Sequence, residues 1–104
     1  MKVIWSKQAA ERLHEVASYI RQEYGRAAKQ RFLDQVYQLD KLLSTEPAIG
    51  KVEPLLAHED VVYRSIVMTH LNKIVYWVNG DTIEIVALWD TRKEPRRQAD
   101  DVLH

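Results

Sequence analysis

A single glycine, Gly25, separates two long stretches of helical apolar spacing. Upstream of it Ala9, Leu13, Val16, Ala17, Ile20 and Tyr24 recur every three or four residues. Downstream Ala28, Phe32, Val36, Leu39 and Leu43 form a second stripe, widened by Leu33 and Leu42. Such spacing places the apolar groups on one face of a helix. Glycine accepts left-handed backbone angles without a Cβ clash, so it stops the first helix. Ser6 is placed to start it, because a serine hydroxyl accepts a bond from an orphan amide one turn on. Pro47 and Gly50 end the second. A break of a residue or two forces the chain straight back, which predicts an antiparallel hairpin of helices near residues 7–24 and 27–45.

The two apolar stripes need a surface to cover, and the rest of the chain reads as a sheet. Lys2–Trp5 is a short strand. Residues 47–60 read as a loop punctuated by Pro47, Gly50 and Pro54. Three β-type runs follow, Val61–Met68, Lys73–Val78 and Thr82–Trp89, and residues 96–103 suit a short terminal helix. The order β-α-α-β-β-β predicts an α+β fold, a helical hairpin packed on one face of a small antiparallel sheet. A chain of 104 residues fits one domain spanning 1–104. Leu13, Ile20, Phe32, Val36, Leu39, Ile74, Tyr76, Ile83 and Ile85 are the expected core.

Asn79-Gly80 between the last two runs is a strong hairpin signal, because both residues tolerate positive φ. With those two as the turn, Val78 pairs with Asp81, Tyr76 faces Ile83 and Ile74 faces Ile85. A turn over Thr69–Asn72 would pair Met68 with Lys73 and add Val61, Tyr63, Ser65 and Val67 to the same face. That face is assigned to the hairpin, since side chains alternate between the two sides of a sheet. The other face then carries Val62, Arg64, Ile66, Met68, Lys73, Val75, Trp77, Thr82, Glu84, Val86 and Leu88. It is mostly apolar and two helices on one side leave it bare. Either a partner covers it, or the C-terminal segment folds back over it.

Composition limits the chemistry. Fifteen basic residues balance fifteen acidic ones, which weakens the reading of a general nucleic-acid coat. There is no cysteine, so disulfides and thiolate metal sites are excluded, and a reducing cytosol fits. No apolar run is long enough to cross a bilayer. His14, His58, His70 and His104 are scattered, with no metal-ligand spacing, and no serine has neighbours that suit nucleophilic catalysis. Arg64 stands apart, an arginine on an apolar strand face opposite Trp77 in the assumed register. A guanidinium there can stack on the indole or bind an anion, or else pair with Glu84. Arg64, Lys73, Arg92 and Lys93 together would form a local basic mouth suited to phosphate or to an acidic segment of a partner.

Several segments taken in order resemble the RelE/ParE superfamily, the toxins of type II toxin–antitoxin modules. Val3-Ile4-Trp5-Ser6 with Ala9 and Leu13 is similar to the family's opening strand and helix. Ala48-Ile49-Gly50 close after Pro47 is similar to its P-x-x-G exit. Val62-Tyr63-Arg64-Ser65 and Lys73-Ile74-Val75-Tyr76 resemble its central strands, and the stretch from Ile83 through Asp90-Thr91-Arg92-Lys93-Glu94-Pro95 resembles its last strand and R-x-x-P exit. The resemblance implies a cytoplasmic growth-inhibiting toxin without a cofactor, held by a cognate antitoxin in a heterotetramer or forming a toxin homodimer. It implies DNA gyrase as target in the ParE-like branch, or the ribosome with mRNA in the nuclease branch, or an inactive partner kept for binding alone. Arg64 matches the family's strand arginine and Arg92 its late basic residue, while Asp90 stands where many members carry histidine. Asp90 can serve as a base, but no acid accompanies it. That departure, the R-x-x-P ending and the neutral charge favour the ParE-like branch. The face bearing Val62, Ile66, Met68, Val75, Trp77, Val86 and Leu88 is the expected antitoxin dock, with Trp77 its anchor.

Overall fold

The computed structural model describes residues 1–57, 59–69, 71–93 and 95–103. Four residues of the sequence reading, His58, His70, Glu94 and His104, lie outside them.

Strand β1 (Lys2–Trp5) leads into α1 (Lys7–Tyr24) and α2 (Arg26–Thr45). Ser6 caps α1 as expected, its hydroxyl accepting from the Ala9 amide at 3.1 Å. Gly25 has φ 94° and closes α1 by donating its N–H to the Arg21 carbonyl at 2.9 Å. A Cβ there would meet nothing within 4 Å, so the positive φ, not lack of space, calls for glycine. Two-residue β2 (Lys51–Val52) and a 3₁₀ turn at Pro54–Leu56 precede β3 (Arg64–Thr69), β4 (Asn72–Asn79), β5 (Thr82–Asp90) and α3 (Pro95–Leu103).

The sheet order is β1-β5-β4-β3-β2. It is mixed and not wholly antiparallel: β1 pairs parallel with β5, Val3 beside Ile83 and Trp5 beside Ile85. A parallel neighbour needs a long crossover, and the helical hairpin supplies it. The hairpin packs on one face of the sheet, over Ile74, Tyr76, Ile83 and Ile85, all fully buried. Phe32, Val36 and Leu39 are buried as expected, while Leu13 and Ile20 are half-buried at the margin. At the sheet edge the Trp5 indole N–H donates to the Asp40 carboxylate at 3.1 Å, and the Met1 ammonium donates to the Ser44 carbonyl at 2.9 Å. These tie the end of α2 to β1.

Both assumed registers shift. The closing pair of the β4–β5 hairpin is Asn79 with Thr82, so the turn is Gly80-Asp81, and Tyr76 faces Ile85. A bulge between Val75 and Tyr76 then leaves Val86 over and pairs Ile74 with Leu88. A bulge reverses which face later residues occupy, so Leu88 joins the hairpin side of the core. In β3, Arg64 pairs with Tyr76 and Ile66 with Ile74, one residue away from the expected register. Ile66 and Met68 therefore pack under the hairpin, whereas Ser65 and Val67 take the other face and Tyr63 packs there too.

Around Val75 and Trp89 the other face is covered by the chain itself. Ala99 and Val102 of α3, together with Leu56, pack on Val75 and Trp89. Val75 is fully buried. The bare docking face expected from the sequence is corrected accordingly: Ile66, Met68 and Leu88 face the hairpin, and Val75 lies beneath α3. Of that set Val62 is 58% exposed and Trp77 and Val86 are half-buried away from the hairpin, while Ile66 and Met68 are half-buried against it.

Candidate functional site

The basic mouth does not assemble. Arg64 sits on the hairpin side of β3, across from Tyr76, and its Nη1 donates to the Gly50 carbonyl at 2.9 Å. Lys73 points to the opposite face. Its ammonium donates to both oxygens of Glu53, at 3.0 and 3.1 Å, and lies 5.1 Å from the centre of the Trp89 ring. Glu53 is 1% exposed and also accepts from the Ser65 hydroxyl. An ion held this way on a buried carboxylate neutralises that charge and is not free for a target.

Arg92 lies beyond the end of β5 and folds back on Asp90. Its amide donates to Asp90 Oδ1 at 2.8 Å, its Nε to Oδ1 at 3.2 Å and its Nη2 to Oδ2 at 3.2 Å. These bonds hold the Asp90 carboxyl below the usual carboxylate range and raise Arg92 above its ordinary value. A carboxylate so stabilised is a poor proton acceptor. The main chain of Asp90 is engaged too: its N–H donates to Gln98 Oε1 at 2.9 Å and its carbonyl accepts from Gln98 Nε2 at 3.1 Å. The alternative pair for Arg64 also differs, since Glu84 accepts from the Asn79 amide at 3.4 Å.

What the fold does bring together is Arg64 and Trp77. The two line an open cavity of about 490 Å³ with Pro47, Ala48, Asp60, Val61, Val62 and Val78. Pro47 in its lining is held from behind by Tyr76. The fully buried Tyr76 hydroxyl donates to the Pro47 carbonyl at 2.8 Å and accepts from the Gly50 amide at 2.9 Å. Burial pushes the Tyr76 phenol up, against the opposing pull of the Gly50 bond and the nearby Arg64. A Cβ on Gly50 would lie 2.8 Å from both the Ser65 carbonyl and the Tyr76 hydroxyl, so only glycine lets the loop approach this closely. The Pro47–Gly50 spacing seen in the sequence thus serves to dock the exit of α2 on β4. A guanidinium and an indole lining one cavity that is open to solvent suit recognition of a partner's anionic or aromatic group.

Sequence reasoning missed Glu53 and Gln98. Glu53 carries a faint signal, one acid in the apolar run Val52-Glu53-Pro54-Leu55-Leu56. Gln98 carries none, because its role depends on where α3 docks. Among the described residues no group of histidines and carboxylates is arranged to hold a metal, and no helix is long and apolar enough to cross a membrane.

The fold has solved counterparts. The chain superposes on a structure described as the chromosomal ParDE TA system from P. aeruginosa with a TM-score of 0.69 at 16% identity, covering 86% of this chain and 95% of that one. It superposes on the YoeB dimer from Staphylococcus aureus with a TM-score of 0.55 at 24% identity, covering 84% and 92%. At such identities the likeness concerns the fold. No curated protein matches the sequence. The family model described as the ParE toxin of type II toxin–antitoxin system, parDE, matches residues 3–95, from the opening strand through the final strand to Pro95, and the chain belongs to that family.

Proposed function

We propose that this protein is the toxin of its module, that it arrests growth by binding DNA gyrase in the cytoplasm, and that it cleaves no RNA itself. The observation that carries this reading is the state of Asp90, the one candidate base. Arg92 donates three bonds to its carboxylate and favours the ionised form, while Lys73 is committed to Glu53. Phosphodiester cleavage wants a proton acceptor and a donor facing one position, whereas Asp90 is turned to Arg92 and Lys73 to Glu53. The Arg64–Trp77 cavity favours binding. A cognate antitoxin is the partner the family implies, and Val62, Trp77 and Val86 are the part of the expected dock that it can reach.

The test pairs two assays on the purified toxin. Supercoiling by gyrase should be blocked in a dose-dependent way, and mRNA should stay intact during cell-free translation. Codon-linked cleavage of mRNA on ribosomes, with supercoiling unaffected, would overturn the reading in favour of the nuclease branch.

A further inference from the structure

Arg64 is tied at one end and unspent at the other. Its Nη1 donates to the Gly50 carbonyl at 2.9 Å, and among the described residues its guanidinium makes no other hydrogen bond. A guanidinium carries five N–H donors, and the edge formed by Nε and Nη2 matches the two oxygens of a carboxylate. Lys73 and Arg92 differ in this respect, each being held by an acid of the same chain. The cavity that Arg64 lines has one other charged residue, the exposed Asp60. Arg64 and Asp60 form no ion pair with each other or with another described residue. The rest of the lining is apolar, with Trp77 its largest group. Apolar surface also continues past the cavity: Val62 and Val78 of the lining are exposed, and so is Val52, which pairs with Arg64 across β2 and β3.

The free edge of Arg64 calls for an anion, and Asp60 limits how much charge that anion carries. A phosphodiester chain or a phosphate dianion brings further negative charge beside an acid already on the lining, which costs Coulomb energy. A single carboxylate is neutralised by Arg64 alone. A free small acid would leave the exposed valines bare, whereas a peptide lays apolar side chains over them and over the indole. We propose that this cavity takes one aspartate or glutamate side chain of a partner protein, its carboxylate paired with Nε and Nη2 of Arg64 and an apolar neighbour lying against Trp77. The inference rests on the reading of this cavity as a binding site and does not depend on gyrase being the target.

The test uses the full chain, labelled with nitrogen-15, and the blocked peptide acetyl-Leu-Glu-Leu-amide. Millimolar peptide should shift the Arg64 Nε–H and Trp77 indole N–H resonances together and saturably. The indole of Trp5, which is bonded to Asp40, should stay where it is. Acetyl-Leu-Gln-Leu-amide keeps the shape without the charge and should bind roughly tenfold more weakly or worse. Inorganic phosphate should not displace the glutamate peptide from the wild-type protein. Arg64→Lys should weaken the peptide, since an ammonium has no two-donor edge. Asp60→Asn changes an exposed side chain and leaves the fold intact; it should tighten the glutamate peptide and admit phosphate. Three results would each overturn the proposal: no shift with millimolar peptide, equal binding of the glutamine peptide, or displacement by phosphate from the wild type, which would turn the cavity toward a phosphate-bearing partner. None of these readouts involves gyrase, so a block of supercoiling without peptide binding would sink this inference alone.

Discussion

The hydroxyl of Tyr76 bridges the two ends of one tight loop, donating to Pro47 and accepting from Gly50. One buried phenol thereby fixes where α2 ends, where β2 begins and how the wall of the Arg64–Trp77 cavity is set. Tyr76→Phe keeps the ring but leaves a buried amide and carbonyl unpaired, so it should lower stability by about 1–3 kcal/mol in urea denaturation. The same group sets an alkaline limit. Because burial raises the phenol in the folded state, its stabilisation is complete below the ordinary tyrosine range and is lost as pH climbs through the raised value. Wild type should therefore unfold on alkaline titration together with a step in phenolate absorbance, and Tyr76→Phe should lack that step.

Lys73→Ala should be among the most damaging surface-proximal changes. It strands the Glu53 carboxylate, 1% exposed, with only the Ser65 hydroxyl for company. Breaking a buried pair this way costs about 3–5 kcal/mol. The double variant Glu53→Gln with Lys73→Met should recover much of the loss, measured by thermal unfolding. Full stability of Lys73→Ala alone would show that the pair is solvated.

Asp90 and Arg92 give the acid side. A carboxyl lowered in the folded state contributes stability above the ordinary carboxylate range, and the contribution fades as pH falls through that range. Arg92→Ala should barely move the melting temperature at neutral pH, since Arg92 is exposed. It should raise the Asp90 titration midpoint toward the ordinary value when followed by carbon NMR.

Phe32→Ala empties a 4% exposed position where α2 meets Ala17 and Val36 of the hairpin. A loss of about 3–5 kcal/mol is expected by chemical denaturation.

Trp77→Ala separates binding from folding. Trp77 lines the open cavity and is half-buried, so the protein should stay folded. Growth inhibition or antitoxin binding should weaken by about 2 kcal/mol, roughly 30-fold, if the indole is an anchor. Calorimetry with purified antitoxin and a supercoiling assay with gyrase would show which of the two partners uses it. Unchanged behaviour in both would place recognition elsewhere on the molecule.

The local code of this chain is strong where neighbours in sequence are neighbours in space. Gly25 divides two amphipathic stripes, and the structure has its two helices with that residue at φ 94° between them. Ile74, Tyr76, Ile83 and Ile85 alternate in sequence and meet in one core. The late structure was not legible in the same way. A bulge at Val86 depends on contacts across β4 and β5, and one extra residue there reverses the facing of Leu88 and Trp89. A shift of one residue in β3 likewise moves Arg64, Ile66 and Met68 to the hairpin side. Alternation has a period of two, so a slip of one changes every later assignment. Whether α3 or a partner covers Val75 was open in the sequence, because Ala99, Val102 and Gln98 find their contacts only after the sheet exists. The sequence by itself determined the element order, the hairpin and the inner core, all products of local periodicity and turn chemistry. Tertiary structure decided which face is free and which charges are spent on one another, because both depend on register and docking between segments far apart in the chain.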